Sequence, residues 1–567
     1  MEVRNVFKTY EPLDIHTYFN YCGISDVKEY LKPTNKYSCN PMGFANIKDG
    51  IALYKYHLLG HDSIGVICDS DVDGLTSATL VYRYTKRYYA GIKVRFYLHD
   101  GKQRGLDDVK IYNQIMEDKP SLLIIPDAGS VKTGREQSII ENGTDILVLD
   151  HHNADSKDDD SDNKTEYIDC GVLINNQLEE NIRIDKCLSG CGVTYKFLKA
   201  MDAELGIKYA DNFIDLVGLS TLSDSMPLND YENRYYVDQL LNRNITNRFL
   251  AELIHQYADK PVLTIRDINW MIVPKLNSVI RSDDESMKRD ILKALCGIKG
   301  TNYEEIAVKC DTFHKAQIEY VNKFIERNLN KAMVNDNVIM LLSEEIKRSY
   351  SGLVAGAISG RYNSKPTIVG KISDKDVVGS FRGEGINRLT LKKIDGFNWC
   401  RGHDTNAFGV SIDVSKVDDV FNAINKLDVD YTPVESVLQT LSINSIPYSL
   451  YEEFDALNGI VGNGLLTTSF AIKDIEFTPK DLKILKKDTV KLTINKVDIL
   501  FFRMTVNKLK EIFGIIFDED GKVNYTNNDK CRATIIGKLS KNTWKGRTTN
   551  QIIVDKYDII KSNDYFE

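Results

Sequence analysis

Nothing in this 567-residue chain reads as a membrane-crossing helix, because no run of about 18 apolar residues occurs. The first residues, Met1-Glu-Val-Arg-Asn-Val-Phe7, lack the basic-then-apolar layout of a secretory leader. The ten cysteines include no Cys-x-x-Cys pair; Cys187 and Cys191 come nearest to one. That argues against a zinc ribbon and for free thiols in a reducing compartment, so a cytoplasmic protein with no membrane partner is expected. Basic charge is not in excess either: 73 Lys and Arg stand against 81 Asp and Glu, a formal net charge of −8. A chain coated in nucleic acid is not expected. Metal-site carboxylates and a solvated acidic loop, Asp155 to Asp162, inflate the negative count, however, and leave room for a local basic groove. No tandem repeat or low-complexity domain is present.

What the chain does have is Val66-Ile-Cys-Asp69-Ser-Asp71-Val-Asp73-Gly74, an apolar run that ends abruptly in three alternating carboxylates and a glycine. The apolar part predicts a buried strand with the acids just past its carboxyl end. Three like charges so close together are costly unless a cation sits among them, and hard carboxylate oxygens suit a divalent ion. Standing alone, the stretch reads equally well as a solvated acidic turn.

The length implies three or four domains. Residues 1–60 are expected to be an N-terminal extension of short helices without a motif. Residues 61–234 read as α/β, with apolar strands at 64–67, 94–98, 122–125, 146–149 and 172–174 and helices such as 77–89 and 193–205. That alternation predicts a mostly parallel sheet covered by helices. A helical connector follows over 235–345, with one or two long helices at 304–333, and then a smaller α/β unit over 346–430. Period-two alternation at 490–494, 499–504 and 533–536 predicts a small β-barrel or sandwich within 431–567.

Ligands of a parallel sheet bind beyond the carboxyl ends of its strands, and the polar punctuation falls there. Asp127 follows one strand, Asp150-His151-His152 follows another, and Asp224 ends a helix shortly before Pro227. Each has an ordinary explanation by itself: a helix cap for Asp127, a turn residue for Asp224, a surface position for His151. Their falling together on one predicted edge does not. A mixed Asp/His cluster suits Mn²⁺ or Mg²⁺ better than a thiolate metal, and the donors suffice for two ions sharing a bridging carboxylate. Two such ions activate a water and stabilise a leaving oxygen, so metal-assisted hydrolysis of a phosphoester or phosphoanhydride is expected.

In order and spacing, Asp69-Ser-Asp71-Val-Asp73-Gly74, Asp127, Asp150-His151-His152 and Asp224 resemble the four successive motifs of the DHH phosphoesterase superfamily. Among its branches the chain resembles the RecJ-like single-strand-specific exonucleases. Asn175-Asn-Gln177, Leu188-Ser-Gly190-Cys-Gly192-Val193 and Pro274-Lys-Leu-Asn277-Ser-Val-Ile-Arg281 carry this narrower likeness. Gly379-Ser380-Phe-Arg382 and Gly402-His403 with Ala407-Phe-Gly409 resemble the accessory DHHA1 domain. The stretch from Gly537 through Asn542 and Trp544 to Gln551 resembles the last strands of an oligonucleotide-binding (OB) barrel. The resemblance implies an α/β fold: a DHH catalytic domain with a parallel sheet, a helical connector, a smaller DHHA1 domain and a C-terminal OB-like β-barrel.

The same resemblance implies roles for individual residues. Asp71, Asp73, Asp127, His151 and Asp224 match metal ligands, with Asp127 as the bridge. Asp69 matches a further acid at or near the metals, His152 a contact to the scissile phosphate, and Asp150 the group that orients the histidines. Asn277, Arg281, Ser380, Arg382, Gly402 and His403 match positions that hold substrate, and Trp544 would stack on a base. The implied activity is 5′-to-3′ hydrolysis of single-stranded DNA to 5′-mononucleotides in repair, recombination or replication. A monomer is implied, with a single-strand binding protein or a helicase as partners by family analogy. The Lys-, Asn-, Ile- and Tyr-rich composition suits an AT-rich genome, bacterial or bacteriophage.

The chain departs from the family at Arg401-Gly402-His403, where a Gly-Gly-His is usual, and at Lys275 and Ile280 in the segment before Arg281. Two other readings compete. One keeps the hydrolase and shrinks the substrate to nanoRNA, phosphoadenosine phosphate or a cyclic dinucleotide. The other is an inactive replication scaffold, which loss of motif carboxylates would mark; none is missing here.

Overall fold

The computed structural model describes residues 3–9, 12–99, 105–153, 166–402, 405–429, 435–485, 488–502, 504–513, 515–517, 523–525, 530–544 and 546–561. The acidic loop Asp155 to Asp162 and His403 lie outside these residues, as does the side chain of Trp544. The chain divides into two units: Asn35–Met226 with Asp230–Pro433, and Met1–Thr34 with Pro227–Asn229 and Val434–Glu567.

The first of these holds the predicted parallel sheet. Its strands are β1 (Ile64–Cys68), β2 (Val94–Leu98), β3 (Leu122–Pro126), β4 (Asp145–Asp150) and β5 (Val172–Asn175). They pair in the order β2-β1-β3-β4-β5, every pair parallel. All five residues of β1 and of β3 are buried, which explains why they read as unbroken apolar runs rather than as alternation. The order reverses between β1 and β3, and a crevice for ligands forms beyond the carboxyl ends at such a point. Asp69 follows β1 and Asp127 follows β3, one on each side of it.

Three helices complete the frame: α1 (Val72–Tyr88), α2 (Gly190–Leu205) and α3 (Ile214–Ser223). Beyond them lie α4 (Val273–Ile280) and the long α5 (Tyr303–Asn328). Just before α4, residues Ile268–Ile272 form a π-turn, which the sequence pattern does not foretell.

A second sheet in the same unit contains β6 (Met333–Val334), β7 (Ile339–Ser343), β8 (Thr367–Ile372), β9 (Asp376–Arg382), β10 (Phe397–Gly402) and β11 (Ala407–Asp413), in the order β10-β11-β9-β8-β7-β6. One face packs a core that includes Phe381 and Phe408, stacked with ring centroids 4.3 Å apart. On the other face α6 (Ser351–Arg361) covers β7, β8 and β9 through Val354, Ala355 and Ile358. The outer half of that face, over β10 and β11, lines a cleft.

In the other unit, seven strands pair in the order Thr440–Ser442, Ser469–Phe477, Cys531–Trp544, Arg547–Lys561, Val497–Phe501, Thr489–Ile494 and Leu482–Leu485. Among the described residues no pairing joins the two outer strands, so this sheet is not closed into a barrel. Its centre is a hairpin of 14- and 15-residue strands with a register shift between Ile536 and Gly537. Of residues 1–60, this unit takes the short helices Ile15–Tyr21 and Val27–Leu31, while the 14-residue helix Ile47–Gly60 belongs to the first unit. Residues 1–60 also contribute a strand: Val3–Asn5 pairs in parallel with Glu435–Val437.

Behind β5, Asp185 faces Asp230. Burial and the Asp230 charge push Asp185 up to about 8, and burial raises Asp230 as well. The folded chain therefore keeps a proton that the unfolded chain releases above 3.8. Stability contributed by this pair should be greatest in acid and fall as pH rises from 3.8 to about 8. Thermal unfolding of an Asp185→Asn variant, followed across that range, should lose much of this decline.

Candidate metal centre and substrate cleft

Each acid of the predicted cluster is placed by a local structural need. Asp71 is the N-cap of α1 and accepts a hydrogen bond from Gly74 N at 3.0 Å. Gly74 is required because a Cβ there would lie 2.6 Å from Asp69 Cβ. Asp73, in the first turn of α1, reaches the start of α2. Its Oδ2 accepts from Gly190 N at 2.8 Å, and its Oδ1 accepts from Cys191 N at 2.7 Å and Ser220 Oγ at 2.5 Å. A buried carboxylate is well served by exposed amides at a helix N-terminus. Asp127 adopts φ 63°, and its amide donates to Leu149 O at 2.8 Å. A left-handed conformation at a non-glycine residue beside a cluster of acids marks a position fixed by its surroundings.

Asp150, 1% exposed, is a hub of donors. Its Oδ1 accepts from the amides of His151 (2.7 Å) and His152 (3.2 Å) and from His152 Nδ1 (2.8 Å), and its Oδ2 from Ser130 N (3.1 Å). Burial works against its charge, but His152, His151 and the Ser130 hydrogen bond hold it below the ordinary carboxylate range. Asn175 braces the same corner, donating to Ser130 Oγ at 2.7 Å and to His152 O at 2.8 Å.

His151 supplies the test of whether these residues suit a cation. Its Nδ1 is 3.1 Å from Leu188 O, which can only accept, so Nδ1 carries the proton and Nε2 of the neutral ring presents a lone pair. That lone pair faces Asp127 Oδ1 at 3.2 Å, Asp224 Oδ2 at 3.6 Å and Asp73 Oδ2 at 3.9 Å. Asp127 Oδ1 is buried and accepts no hydrogen bond. Burial, then the charges of Asp73, Asp71, Asp69 and Asp224, push Asp127 well above the usual carboxylate range. Burial also raises Asp73, with His151 opposing. Burial disfavours a charged His151, yet Asp73, Asp224 and Asp150 raise it. Acceptors converging on one point, drawing whatever positive charge they can, fit a divalent ion.

The donors fall into overlapping sets. Asp69, Asp71 and Asp127 each bring an oxygen within 4.8 Å of the others, and Asp73, His151 and Asp224 do the same. Asp127 also groups with Asp150, His151 and His152. Asp127 and His151 are thus each shared by two of the three sets.

A cleft of about 790 Å³ opens beside Asp224. Arg281 at the end of α4, Lys347, Arg348, Lys371, Arg382 and Arg401 line it, with Ser380 among them. Burial loosens the proton of Arg281, opposed by Asp71; burial and then Arg281 act the same way on Arg382. Two guanidinium groups near enough to repel one another invite an anion. Gly352 makes room for them, since a Cβ there would stand 2.8 Å from Arg382 Nη2 and 3.3 Å from Ser380 Oγ. Asn277 lies on α4 one turn before Arg281, its buried Oδ1 without a hydrogen bond. Gly402 ends β10, whereas Trp544 belongs to the other unit.

Sequence reasoning did not single out Ser220, Ser130 or His99. Buried His99 lies 3.6 Å from Asp69 Oδ1 and 3.3 Å from Asp108 Oδ2. Ser220 is an ordinary helix serine in the sequence; only the packing of α3 on α1 brings it to Asp73. Its hydroxyl also meets Ser189 Oγ at 2.7 Å. Replacing Ser220 by Ala should weaken Mn²⁺ binding about 10- to 100-fold, as loss of a group behind a metal ligand commonly does, and calorimetric titration would show it.

The lone-pair cluster thus lies at a switch point, beside a cationic cleft. Residues 63–221 match the family model "DHH family, N-terminal domain", so this part of the chain is a DHH domain. The chain is homologous to the RecJ and YorK exonucleases. It is 25% identical over 581 aligned positions, 95% of each chain, to a protein of Bacillus subtilis strain 168 provisionally named the SPbeta prophage-derived single-strand DNA-specific exonuclease YorK. It is 23% identical to the single-stranded-DNA-specific exonuclease RecJ of the same bacterium, covering 91% of this chain and 64% of that one. The structure of RecJ from Thermus thermophilus with Mn²⁺ has the same fold over 95% of this chain and 75% of that chain, at a TM-score of 0.71 and 17% identity.

Proposed function

We propose that the chain is a divalent-metal-dependent exonuclease that degrades single-stranded DNA from the 5′ end to 5′-mononucleotides. One observation carries the reading: sets of ligand atoms linked through Asp127 and His151 include Asp224, which also lines a cleft with six Arg and Lys side chains. Likeness to the single-strand exonucleases along 95% of the chain supports a polymeric substrate over a small nucleotide. Repair, recombination or replication would be the setting.

Two Mn²⁺ or Mg²⁺ ions, when bound, would supply water activation and neutralise charge on the phosphate. Asp71 and Asp127 would hold one, and Asp73, His151, Asp224 and Asp127 the other, with Asp69 alongside. His152 is oriented by Asp150 to donate to the scissile phosphate. Arg281, Ser380 and Arg382 would grip the terminal phosphate, with Asn277, Gly402 and His403 beside it. Fixing that phosphate sets which bond lies at the metals, so cutting proceeds from an end. The open C-terminal sheet is read as an oligonucleotide-binding element related to the OB barrel, with Trp544 available to stack on a base.

The test is direct. Incubated with Mn²⁺, the protein should release mononucleotides from the 5′ end of end-labelled single-stranded DNA and leave duplex uncut. Cleavage of pApA or cyclic-di-AMP alone would show the substrate to be small, and release from the 3′ end would reverse the polarity.

A further inference from the structure

We infer that Trp399 and Gly409 form a stacking platform for one unpaired nucleobase beside the phosphate-gripping residues of the cleft. The inference rests on the nuclease reading and adds a base-binding subsite to it.

The platform begins with a bulge. Strand β10 pairs with β11 as Phe397↔Ile412 and then Trp399↔Ser411, so Asn398 is the extra residue. Without it, Phe397 and Trp399 would share a face, since side chains two apart on a strand point the same way. With it, Phe397 packs into the core that contains Phe408 and Cys400, while Trp399 turns to the opposite face and lines the cleft. Re-aiming one side chain at the edge of a sheet is what bulges do near binding sites.

Gly409 provides the seat. It lies opposite Arg401 on β10 and opposite Ser380 on β9, so the three form a row across the sheet on the cleft side. A Cβ on Gly409 would stand 3.2 Å from Trp399 Cζ3 and 3.7 Å from Cη2. The indole therefore lies over the bare glycine, backed by the sheet. Trp399 is only partly buried, and the Arg401 guanidinium lies over its ring, 5.5 Å from the centroid.

The surroundings specify the ligand class. Next to Gly409 in the row is Ser380, Arg382 lies two residues further along β9 on the same face, and Lys371 and Arg401 line the same cleft. An aromatic plane one strand away from groups suited to a phosphate matches the spacing of a nucleotide, in which base and phosphate are joined through a sugar. Across the sheet from Trp399 on the same face come Ser411 and then Val378, and Gly409 is followed by Ser380, so short side chains flank the ring. Stacking tolerates any base, because every base has a π-face. The exposed guanidinium of Arg401, which lies over the ring in the free protein, would swing outward to admit a base and then cap the stack.

The experiment uses the full chain with Mn²⁺ and single-stranded oligonucleotides carrying one abasic site at each of the first three positions from the attacked end. The wild type should lose about 10-fold in kcat/KM, chiefly through KM, at one of those positions, a loss of the size expected for one stacked base. Trp399→Leu should lose the same amount on intact DNA and nothing further on the abasic substrate, while Trp399→Phe should keep most of the activity. An active wild type indifferent to abasic sites, or a Trp399→Leu protein as sensitive to them as the wild type, would overturn the platform alone. A wild type that hydrolyses no oligonucleotide would remove the nuclease reading, and the subsite with it. Unfolding temperatures of both variants separate a damaged sheet from a lost stack.

Discussion

Asp127→Asn should lower kcat/KM on single-stranded DNA by at least about 1,000-fold, beyond the 10- to 100-fold expected when only a group behind a ligand is lost. The substitution keeps shape and backbone. Asn tolerates the left-handed conformation that Asp127 adopts at φ 63°, and the amide hydrogen bond to Leu149 O is untouched. What changes is charge. The side chain belongs to two of the donor sets, and Asn offers one neutral oxygen in place of a charged carboxylate. Removing one negative charge from the crowd of Asp69, Asp71, Asp73 and Asp224 should also make the metal-free protein more resistant to heat. Unfolding curves would then show opposite orders: the variant above the wild type in EDTA, and only the wild type rising when Mn²⁺ is added. A variant with full nuclease activity would refute the site.

Gly190→Ala should be nearly as damaging, although it removes no ligand. The added Cβ would lie 2.6 Å from Asp127 Cβ and 2.7 Å from Asp127 Cγ, well inside contact distance. Asp127 cannot retreat, because its own amide is tied to β4. Gly190 cannot retreat either without losing the bond from its amide to Asp73 Oδ2 at 2.8 Å. One methyl group therefore disturbs two ligands at once. A loss of about 100-fold or more in kcat is expected with near-native circular dichroism, and Mn²⁺ affinity measured by calorimetry should fall in parallel. Unchanged metal binding would mean that α2 slides to accommodate the methyl.

The acids of the centre were legible because each interrupts an apolar run. Asp69, Asp127 and Asp150 come at the ends of buried strands, where a change from apolar to charged has few structural reasons. Asp224 was visible as the last residue of a helical pattern, and α3 does end at Ser223. Residues whose role depends on packing were not legible. Ser220 reaches Asp73 across 147 positions of sequence. His99 follows an unremarkable strand, and Trp399 sits in a half-buried edge strand where an aromatic residue is ordinary. The bulge at Asn398 leaves no trace in the alternation. The sheet of 440–561 was visible as period two, but its open order depends on which strands pair, and periodicity is silent on that. The strand Val3–Asn5 is too short for any period, and its partner begins more than 400 residues later.

That last pairing has a consequence for the order of events at the ribosome. The unit built from 1–34, 227–229 and 434–567 is discontinuous, with the whole of the other unit lying between its pieces in the sequence. At translation rates of about 5–20 residues per second, Val3–Asn5 waits roughly 20–90 s before its partner strand is made. The hydrolase unit can fold during that interval, while the first 34 residues remain without their sheet. The nascent chain should therefore assemble the Asp and His cluster before it gains its C-terminal sheet, and a stalled chain ending near residue 433 would carry that cluster complete and an unclaimed N-terminal strand.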